Sequence, residues 1–311
     1  MNIARAYRLC REEAAAHYEN FPVASTLLPR RLRDPVAAIY VFARRADDLA
    51  DEGSDPAEVR LARLDEMAVC LHRTHGGAPP PDPLWHALAD AMARFPLPVD
   101  HFEDLLAAFR QDVVCHRYAD FEELLAYCER SANPVGRLLL QLAGAADAPN
   151  LRAADNICTA LQLINFLQDL HQDFVERDRL YIPARDLHRH GVSEGELRAG
   201  QATPGVQTLL GEQIERAAWW LHEGADLPTR LRGRFAAEIR LIIRGGWRIV
   251  ERLRREKPAD PFARPRLSAA DRRWILRGLL ARRALPRSIP APADPVRTRL
   301  YSLNADGQVR S

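Results

Sequence analysis

Apolar residues recur at every third or fourth position along most of this chain, a spacing typical of amphipathic α-helices. The alternation expected of strands is scarce, and good helix formers such as Ala, Leu, Arg and Glu prevail. We therefore predict an all-α protein. The expected helices cover residues 2–19, 34–52, 58–75, 83–94, 99–117, 121–143, 156–176, 208–227, 231–255 and 268–284.

Individual residues refine these boundaries. Asp34 is a favourable N-cap, and Pro35 suits the first position of a helix. Asn133-Pro134 should kink or split the helix that contains it, because proline removes a backbone hydrogen bond. Gly245-Gly246 permits a bend or a close contact between helices. Residues 188–204 are predicted to form a surface loop.

Acidic residues interrupt the apolar pattern most clearly in two places. Asp47 and Asp51 are four positions apart in one predicted helix, and Asp169 and Asp173 are four apart in another. Residues four apart share a helix face, so each pair sets two negative charges side by side at a cost to helix stability. Two such pairs facing each other would supply hard oxygen ligands of the kind that Mg²⁺ takes when it also holds substrate phosphates.

A polar stripe in the second of these helices strengthens this interpretation. Gln162, Asn165, Asp169 and Asp173 recur at helical spacing, while the residues around them are mainly apolar. The pattern indicates a polar site inside the protein rather than a polar outer face alone. The alternative for a single aspartate pair is a solvated charged face, which many charged helices have.

Composition limits the class of protein. The chain has 311 residues, 47% of them hydrophobic, which is enough for one large core, although length alone allows one or two domains. We predict a single domain over residues 1–285, followed by a Pro-rich and disordered tail over residues 286–311. Five scattered cysteines without a Cys-x-x-Cys pair suit reduced thiols in a cytoplasmic protein. No apolar run is long enough to cross a membrane, and the N-terminus does not resemble a signal peptide.

Positive charge is concentrated near the C-terminus, although the net charge of the chain is only +2. Residues 229–299 contain 20 Lys or Arg against 6 Asp or Glu. Helix-turn-helix signals and interleaved aromatic residues are missing, so we expect no nucleic-acid partner. Anionic lipid headgroups or a diphosphate are better candidates, and peripheral contact with a membrane stays open, as does the oligomeric state.

Four sequence blocks resemble the squalene and phytoene synthases, head-to-head prenyl transferases with the all-α class I isoprenoid synthase fold. The blocks are Tyr40–Arg44 running into residues 47–52, Tyr127–Ser131 leading to Val135-Gly136, residues 162–173, and Arg179–Pro183. Their order and spacing fit the family over residues 1–285. The resemblance implies a helical bundle around a central cavity, with an apolar tunnel for two farnesyl-length chains and the aspartates at its mouth.

Two further stretches narrow this resemblance. Residues 17–29 and Ala132–Gly136 look like the bacterial hydroxysqualene synthases (HpnC-type) of hopanoid biosynthesis. They imply that presqualene diphosphate is the substrate, and that Mg²⁺-dependent loss of diphosphate and capture of the carbocation by water yield hydroxysqualene, with no need for a nicotinamide. One alternative is condensation of two farnesyl or geranylgeranyl diphosphates to presqualene diphosphate, squalene or phytoene. Another is a non-catalytic assembly factor, although members with that role tend to lose aspartates that are all present here.

The resemblance also implies roles for charged residues. The four aspartates of the two pairs would be the Mg²⁺ ligands. Arg44 and Arg179 match arginines that contact diphosphate in relatives, and would act as catalytic cations. A guanidinium can grip two phosphate oxygens, and the charge on a diphosphate grows as its C–O bond breaks. The alternative for Arg44 is an ion pair with Asp48.

Polar and aromatic residues complete the expected site. Tyr127 would line the cavity and stabilise a carbocation through its ring or move a proton through its hydroxyl, and the alternative is a buried tyrosine whose hydroxyl is satisfied. Gln162 and Asn165 would orient carboxylates or bind a diphosphate oxygen, with hydrogen bonding in the core as the alternative. Tyr181 is expected to be structural. Three residues near the mouth match positions that contact diphosphate in relatives: His17, Asn20 and Ser25.

Overall fold

Helices account for the regular structure in the part of the chain that the computed structural model describes, which is residues 2–16, 27–51, 55–280 and 284–285. The α-helices there are α1 (Ile3–Ala16), α2 (Arg30–Asp51), α3 (Ala57–His75), α4 (Pro83–Arg94), α5 (Val99–Val114), α6 (Phe121–Ser131), α7 (Asn133–Ala143), α8 (Ala148–Gln168), α9 (Ala184–Arg189), α10 (Glu194–Arg198), α11 (Pro204–Glu223), α12 (Leu227–Arg230), α13 (Gly233–Glu256) and α14 (Ala269–Arg277). Within these ranges there is no strand, and a single bridge pairs Arg117 with Leu180. The prediction of an all-α protein is confirmed.

The break predicted at Asn133-Pro134 is present. Helix α6 ends at Ser131, and α7 begins at Asn133 with proline in its first turn, where a missing N–H costs little. Helix α7 then ends at Gly144, whose φ of 68° is the left-handed conformation that favours glycine. The predicted tail over residues 286–311 lies outside the described residues.

The start predicted for the first aspartate helix is wrong. Helix α2 begins at Arg30 rather than after Asp34, and Pro35 lies inside it. The additional turn brings Leu32 into the core, where it is 1% exposed, and burying a leucine contributes about 1.5–3 kcal/mol. Asp34 is ion-paired with Arg11 of α1 instead of capping a helix.

The second aspartate helix is also not continuous, contrary to the prediction over residues 156–176. Helix α8 begins earlier, at Ala148, where Asp147 caps it, and it ends at Gln168. A π-helical segment, His171–Glu176, follows and carries Asp173. Asp169 therefore sits at the junction between two kinds of helix, and the predicted polar stripe does not run straight along one axis.

The loop predicted over residues 188–204 contains one short helix, α10. Ser193 caps it by accepting from the amide of Glu196, and the Glu196 side chain accepts from the amide of Ser193 in return. This reciprocal cap explains why five residues hold a helical turn that the apolar pattern did not indicate.

Helix α8 lies at the centre of the hydrophobic core, packed against α6, α7, α11 and α13. Glycines on α11 and α13 allow close approaches to it. A Cβ on Gly246 of α13 would lie 2.8 Å from a methyl carbon of Leu161, which confirms the predicted close helix contact. A Cβ on Gly224, at the end of α11, would lie 2.6 Å from the carbonyl oxygen of Ala153.

We predict that Gly224→Ala destabilises the protein by about 1–3 kcal/mol, because backbone atoms of α8 cannot move aside for the new methyl group. The control is Gly245→Ala in α13, where a Cβ would meet nothing within 4 Å. That change should be neutral or stabilise by up to about 1 kcal/mol, since alanine favours helix. Urea unfolding followed by circular dichroism measures both, and equal midpoints would contradict the close packing of α11 on α8.

Candidate active site

The first aspartate pair lies in the last two turns of α2, and Asp51 is the final residue of that helix. The Asp51 carboxylate accepts hydrogen bonds from Nη1 of Arg179 at 2.6 Å and from Nη1 of Arg177 at 3.1 Å. A helix C-terminus already carries partial negative charge, so Asp51 is unfavourable there by itself. The two arginines offset that repulsion.

The second pair lies where α8 gives way to the π-helical segment. Asp169 forms a close ion pair with Nε of Arg264, which lies in the connector between α13 and α14. Arg177, which binds Asp51, is also 4.0 Å from Asp173. One arginine therefore links the two aspartate pairs, as the sequence prediction of facing pairs requires.

Burial and mutual repulsion both raise the pKa values of Asp47 and Asp173. Burial and the negative charge of Asp51 raise the pKa of Asp47 to about 7. Burial and the negative charge of Asp169 raise the pKa of Asp173 to about 7, and Asp51 adds to the effect. Like charges at short range disfavour the ionised forms, and a bound cation would reverse that effect.

The chemistry of the donors fits Mg²⁺, a hard cation that prefers carboxylate oxygens. Arginines rather than a ready-made cage hold the carboxylates in this structure. Within the described residues, no three His, Cys, Asp or Glu side chains are grouped closely enough to hold one ion. The assignment of Asp47, Asp51, Asp169 and Asp173 as metal ligands therefore stays a prediction.

The two arginines predicted to contact diphosphate differ in position. Arg179 is 8% exposed and lies at the junction of both pairs. Burial opposes its charge, but the neighbouring Asp51 holds the pKa of Arg179 above its usual value. Arg44 instead contacts Asp48 at 2.6 Å and Asp47 at 3.5 Å, so the alternative of an Asp48 partner is the one observed. A role for Arg44 toward diphosphate stays a prediction.

A small apolar cavity adjoins Asp173 and Arg179. Its other lining residues come from α6, α8, α11 and the segment after Arg179: Leu124, Leu163, Phe166, Leu167, Leu170, Tyr181, Ile182 and Gln213. Its volume is about 20 Å³, which is room for one water molecule and far less than the predicted tunnel for two farnesyl-length chains. Tyr181, expected to be structural, lines this cavity with its ring stacked 3.8 Å from that of Phe166.

Tyr127 lies behind this cavity wall rather than in it. The residue is 3% exposed, and its ring centre is 6.2 Å from that of Phe166 and 5.8 Å from that of Tyr181. Its hydroxyl donates to Asp112 at 2.8 Å. The alternative of a buried tyrosine with a satisfied hydroxyl is therefore the one observed, and a catalytic role for Tyr127 stays a prediction.

Asp112 is a residue of this region that the sequence interpretation missed. The Tyr181 hydroxyl is 3.5 Å from its second oxygen. Burial raises the pKa of Asp112 to about 7, although the hydrogen bond from Tyr127 and the charge of Arg179 oppose the shift. A signal was available, because Asp112 continues the buried stripe of Leu105 and Ala108 in α5. An acidic residue on an apolar helix face indicates a partnered, buried carboxyl.

The sequence interpretation also missed two arginines, Arg177 and Arg264, and only the first of them had a local sequence pattern that could have indicated it. Arg177 follows Asp173 by four residues, a spacing that predicts an ion pair on a helix. Arg264 reaches Asp169 only through the tertiary fold, so no local pattern could have indicated it.

The remaining predicted substrate-binding residues are not tested by these contacts. Gln162 and Asn165 are half-buried, and their side chains make no hydrogen bond to the described part of the chain. Their roles toward the carboxylates or a diphosphate oxygen stay predictions. His17, Asn20 and Ser25 lie outside the described residues.

Comparison with known proteins agrees with this geometry. The sequence profile of the squalene/phytoene synthase family matches residues 14–273. A phytoene synthase of Mycobacterium tuberculosis is 33% identical over 94% of this chain and 97% of its own length. A hydroxysqualene synthase of Rhodopseudomonas palustris is 35% identical over 77% of this chain and 81% of its own. The crystal structure of squalene synthase HpnC from Alicyclobacillus acidocaldarius superposes with a TM-score of 0.77, at 36% identity, over 82% of this chain and 95% of that one.

The raised pKa of Asp112 makes stability depend on pH. The unfolded carboxyl titrates near pKa 3.9, so between about pH 4 and 7 the folded protein binds more protons than the unfolded one, and stability falls as pH rises through that window. The Asp112→Asn side chain does not titrate, so we predict that the part of the fall in the free energy of unfolding that is due to Asp112 disappears in this variant. That part is up to about 4 kcal/mol, because one pKa unit corresponds to about 1.4 kcal/mol. Urea unfolding at pH 5 and pH 8 measures it.

The control is Asp100→Asn, which changes an exposed carboxylate on the same helix. Its stability should follow that of the wild type at both pH values. If the free energies of unfolding of the wild type and Asp112→Asn differ by the same amount at pH 5 and pH 8, Asp112 is not the titrating group.

Proposed function

Because the chain belongs to the squalene/phytoene synthase family, whose members act on prenyl diphosphates, we propose that it converts presqualene diphosphate to hydroxysqualene with release of diphosphate, in hopanoid biosynthesis. One observation carries the proposal. An apolar cavity with stacked aromatic walls directly adjoins two linked pairs of aspartates and their arginines. A prenyl diphosphate needs both kinds of surface, an apolar one for its chains and a charged one for its headgroup. The cavity of about 20 Å³ marks where the two surfaces meet and is too small to hold the chains themselves.

The arginines would act on the departing diphosphate. Arg177, Arg179 and Arg264 already bind carboxylates at the site, so they can exchange these anions for phosphate oxygens. Cations placed before reaction bind the diphosphate more tightly as the C–O bond breaks, and thus stabilise the transition state. Mg²⁺, held by the two aspartate pairs, would neutralise diphosphate charge when bound.

The aromatic residues would protect the carbocation. Phe166 and Tyr181 present stacked rings to the cavity, and the face of an aromatic ring attracts positive charge. Their apolar surface also keeps bulk water from the carbocation. The groups in the wall then determine whether it takes up water or loses a proton.

The second candidate function is condensation of two farnesyl or geranylgeranyl diphosphates. The observation that favours it is the phytoene synthase match, which spans more of this chain than the hydroxysqualene synthase match. The aspartates and arginines would serve either reaction. No contact in the described residues favours a non-catalytic assembly factor.

We expect purified protein with Mg²⁺ and presqualene diphosphate, but no nicotinamide, to produce hydroxysqualene, because water supplies the final nucleophile. Mass analysis of the extracted lipid measures the product. Farnesyl diphosphate alone should yield none. Product from farnesyl or geranylgeranyl diphosphate, with presqualene diphosphate left unchanged, would instead establish the condensation.

Asp169→Asn tests the role of the aspartates in the same assay. Replacing a charged ligand should lower turnover on the order of a hundredfold or more while leaving the fold intact. The matched control is Asp65→Asn, because Asp65 forms only an exposed ion pair with Arg110. Full activity of Asp169→Asn would contradict the metal-ligand assignment.

We further propose a cytoplasmic protein that makes peripheral contact with anionic membranes through the outer face of α14. This face carries Arg272, Arg273, Leu276 and Arg277, and Leu276 is 54% exposed. Asp271 anchors the inner face to Arg248 and Arg252 of α13. None of the helices in the described part of the chain has the length and apolar character needed to span a bilayer.

We predict that Arg272→Glu with Arg273→Glu weakens co-sedimentation with phosphatidylglycerol vesicles at least about tenfold, since each basic residue contributes about 1 kcal/mol near an anionic surface. Arg73→Glu with Arg152→Glu makes the same change of charge at exposed positions on α3 and α8. An equal loss in this control, or no binding of the wild type, would refute the membrane contact.

A further inference from the structure

We propose that Gln213 is the positioning residue that places the water molecule which captures the carbocation, an inference that rests on the proposed function. Gln213 lies in the middle of α11 and is 6% exposed. Gln213 is one of the residues that line the cavity adjoining Asp173 and Arg179. A polar amide in this largely apolar wall calls for a hydrogen-bonding partner on the cavity side.

A buried network fixes the orientation of this amide. Nε2 of Gln213 donates to Asp186 at 2.9 Å, and Oε1 of Gln213 accepts from Arg216 at 2.8 Å. Arg216 also donates to Asp186 at 2.7 Å, which closes a triangle of three side chains. The NH₂ group and the carbonyl oxygen of Gln213 therefore each have one partner in this network. One N–H and one lone pair of the oxygen are left for a further hydrogen bond.

The cavity has the size and the polar groups that one water molecule needs. Its volume of about 20 Å³ admits one water, and a buried water requires two to four polar partners. The other polar residues that line the wall are Asp173, Arg179 and Tyr181. Asp173 and Arg179 belong to the aspartate pairs, and the Tyr181 hydroxyl is turned toward Asp112. Gln213 differs from them because its partners, Asp186 and Arg216, lie outside the two aspartate pairs.

The chemistry of the amide suits this task. A lone pair of the water oxygen forms the new C–O bond with the carbocation, while Gln213 accepts one water proton in a hydrogen bond and so aims that lone pair into the cavity. The water then loses a proton to the released diphosphate, the base that the reaction itself supplies. A cation without a held water loses a proton from a neighbouring carbon to the same diphosphate and becomes a hydrocarbon.

The test is Gln213→Met, which keeps an unbranched chain of similar volume but removes the amide. With presqualene diphosphate and Mg²⁺, we expect the ratio of alcohol to hydrocarbon product to fall at least about tenfold, the effect of losing one good hydrogen bond. Release of diphosphate should change less than about threefold, because Gln213 does not contact the leaving group.

The matched control is Glu215→Gln, on the same helix but bound to Arg254, outside the network of Gln213. Its product ratio should equal that of the wild type. A parallel loss of melting temperature and diphosphate release in Gln213→Met, with an unchanged product ratio, would assign a merely structural role and overturn the inference. Absence of alcohol from the wild type would overturn the proposed function as well, so the two failures are distinguishable.

Discussion

Carboxylates inside an apolar helical bundle must be neutralised, and this requirement organises the site. An unpaired buried charge costs several kcal/mol, so each acid needs a partner or a proton. Asp51 takes two arginines, Asp186 takes Arg216 and Gln213, and Asp112 takes a tyrosine hydroxyl together with a raised pKa. Three arginines are thereby concentrated around the two aspartate pairs, Arg177, Arg179 and Arg264.

A change of helix type makes this concentration possible. Helix α8 stops at Gln168, and the wider π-helical turn carries the chain past Asp173 toward Arg177 and Arg179. Such segments are frequent at functional sites. Asp178 then adopts a φ of 55°, and its side chain is held by Arg117 and Arg198. This reversal returns Arg177 and Arg179 to the end of α2, so that one segment supplies both the second aspartate pair and the counter-charges of the first.

The sequence predicted the features that repeat locally and missed those that depend on the fold. Helical periodicity, the break at Asn133-Pro134 and the presence of two aspartate pairs follow from spacing along the chain, whereas the expectation that the pairs face each other came from the family resemblance. The π-helical segment does not follow from spacing, because a residue at helical spacing looks the same in either geometry. Arg264 likewise reaches Asp169 across a long stretch of chain, and Tyr181 enters the cavity wall through the packing of its segment on Phe166. Spacing cannot indicate such contacts.

The position of each polar group in the cavity wall then bears on which product forms. In the proposed reaction, a carbocation next to this cavity would either lose a proton or take up water, and the choice would depend on the polar groups that line the wall. Asp112 is the stronger base, but Tyr127 and Tyr181 occupy its oxygens and stand between it and the cavity. Gln213 faces the cavity directly, and an amide is too weak a base to remove a proton from carbon, although it can hold water. In the proposed reaction the amide of Gln213 would therefore favour the alcohol, while the Asp173 carboxylate, which also lines the cavity, would be engaged by the cations of the aspartate pairs.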